Sequence, residues 1–473
     1  MKSRPYFHFW IFTIALAILL VVPQLVQDGM FMDGLLYTCV AKNLANGMGT
    51  FWFPHFSLTE LPDFHEQPPL MFGILAVLFR IFGNSLYVER LYSLFTGIVA
   101  AWLIVSTWKE LFRGKELSKM AWLPVLLWIM IPVCFWAYAN NMEENSMCMF
   151  TMAAMYFILR GLNSRDKIYI HLCIAGLFLF LASFTKGFPG LFPVTAIFFY
   201  WIFNRDITFR QMIGWSLLVL GIPVLIYAGL ALDADIRESF RRYLFNRVFN
   251  SIQHVSNQSS RLYILGKLFM ELLPSLALTL SVLAALRLRQ TGHAIRQNRG
   301  KALWFFCLAL AGSLPLMVTR EQRGFYLVTS FPFYAIALAM LCADGLQRLL
   351  LSIQENARGL KVFRAISLLL LVFAAGFSLF KIGKTKRDRE MLHDVYVIGN
   401  VVPESSIIGI PESFYQDWSL REYFIRHYGI SLDIDGKTHE YVLLARNSPS
   451  PAGYAKIELG TEIYDLYKKS GNY

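Results

Sequence analysis

Long apolar runs separated by short polar segments make up most of this chain, and each is about twenty residues long, the length of a membrane-spanning helix. The first run follows Lys2 and Arg4 and has no small-residue cleavage pattern after it, so we expect an uncleaved span and not a signal peptide. Hydrophobic residues are 56% of the 473 residues and charged residues 16%. This composition is typical of an integral membrane protein and excludes soluble globular and disordered chains.

About eleven of the runs are assigned as transmembrane helices. They cover residues 8–27, 88–108, 121–139, 146–161, 168–184, 187–203, 212–231, 265–286, 302–319, 325–343 and 363–382. The shorter apolar segment 68–83 is expected to lie at the membrane interface. The connections on the N-terminal side are then the ones rich in Lys and Arg, so the positive-inside rule predicts a cytoplasmic N-terminus. The net charge of +12 lies largely in these connections, and we expect no nucleic-acid partner.

The segment after residue 384 differs in character. It contains short strand-like runs, VYVIG, SIIGI and YVLLA, and a helix-like run, SLREYFIRHYG. The fold class predicted is an all-α polytopic membrane protein with interfacial helices and a small C-terminal α/β domain. Residues 1–384 are expected to form the membrane-embedded domain with an extracytoplasmic loop over 28–87, and residues 385–473 the small extracytoplasmic domain.

An acidic stretch follows the first apolar run. Against a single lysine, Lys42, it carries Asp28, Asp33, Glu60, Asp63, His65 and Glu66. Asp33 precedes an amphipathic segment, LLYTCVAKNLA, whose apolar residues recur at helical spacing, as in a helix that lies along the interface. Two interpretations stay open here: Asp33 caps this helix, or it is a general base at the membrane surface.

Metal and disulfide chemistry find little support in the sequence. His65 beside Glu66 offers too few ligands for a metal site, so neither a metal nor another cofactor is expected. The 6 cysteines show no metal-type spacing and mostly fall in or beside apolar runs, so we expect no disulfide.

Further polar residues fall on the same side of the membrane as Asp33 in this topology. They are Glu143 and Glu144, Lys186, Arg242 and Arg247, and Arg320, Gln322 and Arg323. The first three groups have plain alternatives: the two glutamates in a solvated turn, Lys186 extending from a span end to water, and Arg242 and Arg247 binding anionic lipid headgroups. Because bases on the outer side depart from the positive-inside rule, a bound phosphate explains them more economically.

Five short motifs occur in one order along residues 1–345. They are Asp33-Gly34, Glu66-Gln67-Pro68-Pro69, Glu144 at the start of a span, Thr-Lys-Gly-x-x-Gly from Thr185 to Gly190, and Gln322 with Tyr326 before Pro332. In this order they resemble the bacterial lipid-linked-sugar glycosyltransferases related to the lipid A aminoarabinose transferases and the protein O-mannosyltransferases, whose membrane fold is called GT-C. Two positions depart from the pattern, since Gln67 stands where the aminoarabinose branch often has Lys and Glu144 where Asp is common.

The resemblance implies inverting transfer of a hexose or pentose from a polyprenyl-phosphate donor to a lipid, glycan or protein acceptor, on the extracytoplasmic face of a bacterial plasma membrane. It assigns Asp33 as the base, with Glu144 and Glu66 as further catalytic-site carboxylates that orient the acceptor or sugar. The donor phosphate is assigned to Lys186, Arg247, Arg242, Arg320, Arg323 and Tyr326. Positioning of the acceptor or sugar is assigned to His65, Gln67, Glu143 and Gln322.

Two other functions are alternatives: a flippase or transporter of polyprenyl-linked glycans, and a ligase that joins whole glycans. A transporter is expected to carry ionisable residues near the bilayer midplane and matching half-repeats, and the sequence shows few of the first and none of the second.

Overall fold

The computed structural model describes residues 6–250, 260–288, 298–319, 321–353, 357–434 and 438–470. Helices dominate these ranges. The α-helices are α1 (Tyr6–Leu25), α2 (Met32–Ala45), α3 (Leu70–Phe82), α4 (Val88–Leu111), α5 (Trp122–Ile129), α6 (Pro132–Tyr138), α7 (Glu143–Asn163), α8 (Ile168–Lys186), α9 (Thr195–Asn204), α10 (Phe209–Leu230), α11 (Ala234–Arg242), α12 (Tyr263–Leu288), α13 (Arg299–Ser313), α14 (Phe331–Ser352), α15 (Arg358–Lys381), α16 (Arg389–Gly399), α17 (Glu412–Tyr415) and α18 (Trp418–Tyr428). A π-helix follows α11 over Tyr243–Phe249. Shorter 3-10 segments are Glu116–Met120, Arg165–Lys167, Phe188–Val194, Leu314–Val318 and Gly324–Leu327.

Within the described ranges, eight helices are long and apolar enough to cross a membrane by length and composition. They are Tyr6–Leu25, Val88–Leu111, Arg165–Lys186, Phe209–Leu230, Tyr263–Leu288, Arg299–Val318, Phe331–Ser352 and Arg358–Lys381. Many of their apolar side chains are exposed, as expected for helices that face lipid. The predicted multi-spanning architecture is therefore confirmed.

The remaining predicted spans fall on helices of a different kind. The predicted span 121–139 is a pair of helices, Glu116–Ile129 and Pro132–Tyr138, bent by 86° at the break, and it raises the number of candidate spans to nine if counted as one. Pro132 lacks the backbone N–H that a continuous helix needs, which explains the break. The predicted span 146–161 lies in α7, and Phe188–Asn204 is shorter than a full span. The number of crossings, eleven, stays a prediction.

The chain divides into two compact units. The first unit consists of Met1–Gln24, Ser93–Ala139 and Glu143–Lys381 and holds most of the long apolar helices. Its helices pack closely where glycine permits. A Cβ atom at Gly176 of α8 would lie 2.7 Å from Cβ of Ile222 in α10, so these two helices approach over a residue without a side chain.

The second unit consists of Leu25–Tyr92, Asn140–Met142 and Ile382–Tyr473. The sequence predicted that residues 28–87 belong to the membrane-embedded domain, whereas in the structure this stretch packs with the C-terminal segment. Met30 and Leu35 share a hydrophobic core with Leu392, Phe424 and Leu466. The hydrophobic core of the C-terminal domain therefore includes residues from the stretch that carries Asp33.

The C-terminal domain contains a five-stranded sheet in the order β2-β1-β3-β5-β4. Its strands are β1 (Ile407–Gly409), β2 (Ser431–Asp433), β3 (Tyr441–Ala445), β4 (Tyr454–Ile457) and β5 (Tyr464–Lys469). β1 pairs in parallel with β2 and β3, and β5 pairs antiparallel with β3 and β4. The predicted strands SIIGI and YVLLA and the predicted helix SLREYFIRHYG are confirmed.

The predicted strand VYVIG is wrong, because these residues end helix α16. Its residues Leu392, Val395 and Ile398 are buried at a helical spacing of three. β-branched residues alone suggest a strand, and here burial of one face of the helix outweighs that local preference.

A buried ion pair joins α18 to the start of α4 in the second unit. Arg426, 1% exposed, binds Glu89 through Nε and Nη2 at 3.1 and 3.0 Å. The same guanidinium also donates to Asn84 Oδ1 and to the Ser85 carbonyl oxygen. A bidentate arginine with its remaining donors satisfied is the arrangement that makes a buried charge tolerable.

We expect Glu89→Gln to lower the free energy of unfolding by about 3–5 kcal/mol, because it leaves the Arg426 charge buried without a carboxylate. Thermal unfolding in detergent micelles measures this loss. Glu238→Gln is the control, since its pairs with Arg241 and Arg242 lie on the surface of one helix, and it should change stability little. Equal effects of the two substitutions would contradict the buried pair's structural role.

Candidate active site

The first unit holds a largely buried lysine at the end of a candidate membrane helix. Lys186 is the last residue of α8, which ends because Gly187 follows with φ of 76°, a conformation that favours glycine. A Cβ atom at Gly187 would also overlap the hydroxyl of Tyr243. The Thr-Lys-Gly-x-x-Gly motif therefore ends the helix in a turn that fixes where Lys186 lies.

Two carboxylates meet this lysine. Glu143 and Glu144 form the first turn of α7, and both are fully buried. Lys186 Nζ lies 2.8 Å from Glu144 Oε1 and 3.4 Å from Glu143 Oε2, with 10% of the lysine side chain exposed. Acidic residues in the first turn of a helix are also stabilised by its dipole. The structure thus brings together three of the predicted site residues.

Aromatic and charged side chains surround this group. The Tyr326 ring centre lies 5.4 Å from Lys186 Nζ, and the Tyr326 hydroxyl lies 3.5 Å from Glu321 Oε1. Arg247 Nη2 binds the same Glu321 oxygen at 2.7 Å. Burial raises the pKa of the Tyr326 hydroxyl, so it remains a neutral hydrogen-bond donor. We call Lys186, Glu143, Glu144, Tyr326, Arg247 and Glu321 the lysine cluster.

Two of the plain alternatives are wrong for these residues. Glu143 and Glu144 are not in a solvated turn, since neither is exposed. Lys186 does not extend to water from a span end, because its ammonium binds both glutamates. Buried charges that are paired in this way mark either a structural ion pair or a functional site.

The other cations predicted for a phosphate have different surroundings. Arg242 forms an ion pair with Glu238 in its own helix at 3.0 Å. Arg323 is exposed, and Arg320 lies outside the described residues. Gln322 is fully buried, and its amide binds the carbonyl oxygens of Thr319 and Arg261 and the N–H of Ile264. These hydrogen bonds hold the loop around Gln322 in place. The assignment of Gln322 to acceptor or sugar positioning stays a prediction.

The second unit holds Asp33. It is the second residue of α2, and the N-cap residue is Phe31, so the N-cap interpretation is wrong as stated. Asp33 nevertheless lies in the first turn, where the helix dipole favours an ionised carboxylate. Its side chain is partly exposed, as a base that meets an acceptor must be.

Gly34 and the residues around it explain the acid-glycine pair of the sequence motif. A Cβ atom at Gly34 would overlap the carbonyl oxygen of Asn140, so only glycine lets α2 lie against this backbone. Asn141 donates to the Thr38 hydroxyl at 3.1 Å, one turn further along α2. Residues 140–142 therefore hold the start of α2 in place.

Glu422 is a residue that the sequence analysis did not assign. It lies on α18, is 1% exposed, and has Asp33 among its charged neighbours. Burial, and then Asp33, raise the pKa of its carboxyl well above the usual range. A helix with several charged residues normally exposes its charged face, so nothing in the sequence predicts that Glu422 is buried. In the structure every residue from Leu420 to Arg426 is buried.

The Glu-x-Pro-Pro stretch forms a loop before α3 in the second unit. Glu66, Gln67 and His65 are partly buried, and the His65 ring packs edge-on against Phe53. His65 Nδ1 lies 3.3 Å from the Asp63 carbonyl oxygen. Among the described residues no group of three or more His, Cys, Asp or Glu side chains is arranged to hold a metal ion.

Comparison with known proteins identifies the fold. ArnT from Cupriavidus metallidurans bound to undecaprenyl phosphate is similar over 98% of both chains, with 14% identity and a TM-score of 0.66. The apo state of the same protein matches with a TM-score of 0.64 and 15% identity, over 96% of this chain and 97% of that one. This chain has the GT-C fold.

Two further comparisons bear on the predicted resemblance. Residues 66–228 match the family model described as dolichyl-phosphate-mannose-protein mannosyltransferase. An archaeal oligosaccharyltransferase from Archaeoglobus fulgidus is similar over 91% of this chain and 64% of that chain, with 12% identity and a TM-score of 0.57. No curated protein matches the sequence. The resemblance to GT-C glycosyltransferases predicted from the motifs is confirmed.

The lysine cluster predicts a specific pattern of stabilities. Glu143→Gln and Glu144→Gln each leave Lys186 one carboxylate, so each alone is expected to cost about 1–2 kcal/mol. The double substitution leaves the Lys186 charge buried without either partner and is expected to cost more than the two losses combined, about 3–5 kcal/mol. Thermal unfolding of the four proteins measures this coupling, and simple additivity would show that the glutamates do not share the lysine.

Proposed function

We propose that this protein is an inverting glycosyltransferase that moves a sugar from a polyprenyl-phosphate donor to a lipid, glycan or protein acceptor. The observation that carries the proposal is the lysine cluster in a GT-C fold: a buried lysine and a nearby arginine held by carboxylates and Tyr326. In a site of low dielectric, such cations stabilise the negative charge that develops on a phosphate leaving group. The basic connections predict the extracytoplasmic face for the reaction, and the resemblance implies a bacterial plasma membrane.

The reaction needs a base and a stabilised leaving group. Asp33 takes the proton of the acceptor hydroxyl while the hydroxyl oxygen attacks the anomeric carbon. The bond from that carbon to the phosphate oxygen breaks at the same time, and the lipid phosphate leaves with the electron pair. One displacement of this kind inverts the anomeric configuration. Glu66 and Glu144 are assigned to orienting the sugar or acceptor.

Charge balance suggests how the phosphate is received. The lysine cluster holds two cations, Lys186 and Arg247, against three carboxylates, so a phosphate has to replace a carboxylate. Glu321 is the candidate for displacement, because its pair with Arg247 is the more exposed one, at 17% and 24% exposure. Arg247 then binds the phosphate with its planar guanidinium, and Lys186 with Tyr326 adds a second contact.

The similarity to the archaeal oligosaccharyltransferase supports a second candidate, transfer of a whole glycan. Transfer of a whole glycan by this protein would use the same base and the same phosphate contacts, and only the size of the donor would differ. Comparing transfer from a polyprenyl-phosphate monosaccharide with transfer from a polyprenyl-linked oligosaccharide separates the two candidates.

Asp33→Asn tests the assigned base. Asn keeps the size of Asp but does not accept a proton at neutral pH, so we expect normal expression and a fall in transfer of about two to four decades. Transfer is measured with membranes or purified protein and a polyprenyl-phosphate sugar.

Asp63→Asn is the matched control, because Asp63 is an exposed carboxylate in the same acidic stretch. It should retain nearly full transfer. An active Asp33→Asn protein would remove Asp33 from the reaction.

Arg247 and Glu321 give a pair of opposite predictions. Arg247→Gln should weaken donor use by about one to two decades, the worth of a charge-assisted phosphate contact. Glu321→Gln should raise donor affinity or leave it unchanged, because it removes the carboxylate that competes with the phosphate for Arg247. Initial rates at limiting donor measure both effects. Weaker donor use by Glu321→Gln would contradict the displacement of Glu321.

A further inference from the structure

The break between α5 and α6 leaves two backbone groups without their helical partners. In a continuous helix the Val133 N–H would bind the Ile129 carbonyl oxygen, and the Leu127 carbonyl oxygen would accept from the Ile131 N–H. Here the Ile131 N–H instead donates to the Trp128 carbonyl oxygen at 3.2 Å. Because water does not satisfy such groups inside a membrane, side chains of the protein have to bind them.

Helix α12 binds both groups from one face. Glu271 Oε2 accepts the Val133 N–H at 2.8 Å, and the Ser275 hydroxyl donates to the Leu127 carbonyl oxygen at 2.6 Å. The two side chains are four residues apart, so they lie one turn apart on the same side of α12. Glu271 lies inside the candidate span Tyr263–Leu288, where acidic side chains are rare and commonly functional. Helix α12 therefore holds both ends of the break.

Helix α6 contacts both sides of the lysine cluster. The Trp136 ring stacks on the Phe325 ring, with centroids 5.8 Å apart and planes inclined by 24°. Phe325 directly precedes Tyr326 in a 3-10 segment, and α6 packs on that segment. At the end of α6, the Ala137 carbonyl oxygen accepts from Asn145 Nδ2 at 2.9 Å. Asn145 lies in the first turn of α7, the turn that carries the two glutamates of the cluster.

The loop that carries Tyr326 also depends directly on α12. Gln322 Oε1 accepts the Ile264 N–H, close to the start of α12, at 2.8 Å. The same helix packs against the 3-10 segment Gly324–Leu327. Helix α12 therefore holds this loop in two ways: by its own first turns, and further along through Glu271 and α6.

We propose that Glu271 is a positioning residue for the donor phosphate. It holds α6, and α6 holds Tyr326 and the first turn of α7 where they meet Lys186. The Tyr326 ring lies 5.4 Å from Lys186 Nζ, and both glutamates of the turn bind that ammonium. Displacing either side therefore changes the arrangement of groups that a phosphate meets. The inference rests on the proposed role of the lysine cluster in binding the donor.

Glu271→Met tests the role by removing the acceptor, which leaves the Val133 N–H unpaired. We expect transfer at limiting donor to fall by about tenfold, with the KM for the acceptor within about twofold of wild type. Glu271→Gln keeps an acceptor oxygen, so donor use is expected within about threefold of wild type. A purely structural role predicts loss of folded protein, which lowers the maximal rate and leaves the KM for the donor unchanged.

Ser275→Ala provides a second variant should Glu271→Met fail to fold, because it leaves the Leu127 carbonyl oxygen unpaired at the same break. Donor use is expected to fall in the same direction, by about threefold. Thr279→Val is the matched control, since the Thr279 hydroxyl binds the Ser275 carbonyl oxygen within its own helix at 2.8 Å. It should leave donor use unchanged. Equal losses in Thr279→Val and Glu271→Met would overturn the proposal.

Fluorine NMR reports the position of α6 without any activity. The full chain is labelled with fluorotryptophan in detergent micelles, and Trp136→Phe identifies the Trp136 signal. Glu271→Met is expected to shift or broaden this signal, because α6 loses the bond at its N-terminal end, whereas Glu271→Gln should leave it in place. A Trp136 signal that does not change in Glu271→Met would overturn the proposal.

Two outcomes separate this inference from the proposed function. A shifted Trp136 signal with normal donor use would show that Glu271 holds α6 without affecting the phosphate site, and it would overturn the inference alone. If the wild-type protein transfers no sugar from a polyprenyl-phosphate donor, the proposed function fails and the role in donor binding fails with it. The Trp136 signal still shows in that case whether Glu271 holds α6.

Discussion

The cost of burying charge governs both units of this protein. An ionised side chain inside a low-dielectric region is tolerated only when paired and hydrogen-bonded. Lys186 meets this condition through Glu143 and Glu144, and so it ties the end of α8 to the first turn of α7. Because Gly187 ends α8 directly after the lysine, the position of the ammonium is set by the backbone as well as by its partners.

In the second unit, buried charged side chains near the acidic stretch are also paired or have shifted pKa values. Arg426 is paired with Glu89, and Arg421 is paired with Glu60 and stacked 3.9 Å from the Trp418 ring. Lys386 is left with an excess of positive neighbours, and burial together with Arg90 and Arg387 lowers its pKa to about 7. Glu422 is buried with no hydrogen-bond donor reaching its Oε2 atom among the described residues, and burial raises the pKa of its carboxyl group.

The sequence predicted the apolar helices and, in the C-terminal domain, strands β1 and β3 and helix α18, because hydropathy and periodicity report burial along one element. It predicted the GT-C resemblance from the order of five short motifs. It also predicted Lys186, Glu143 and Glu144 as site residues, since each stands in a short motif. It missed the bend before Pro132, although proline is a local signal of a break. It also missed the helix over VYVIG and the burial of Glu422, since these depend on packing between distant segments. The pairing of Arg247 with Glu321 joins residues 74 apart along the chain and has no local signature.

Photo-crosslinking tests most directly whether Lys186 and Arg247 bind a polyprenyl phosphate. Purified protein in lipid vesicles would be irradiated with undecaprenyl phosphate carrying a photoreactive group near the phosphate, and the labelled peptides identified by mass spectrometry. We expect labelling of the segments that contain Lys186, Arg247 and Tyr326, competed by unlabelled undecaprenyl phosphate but not by undecaprenol, and reduced in Arg247→Gln. Labelling elsewhere in the chain, or competition by undecaprenol to the same extent, would contradict phosphate binding at Lys186 and Arg247.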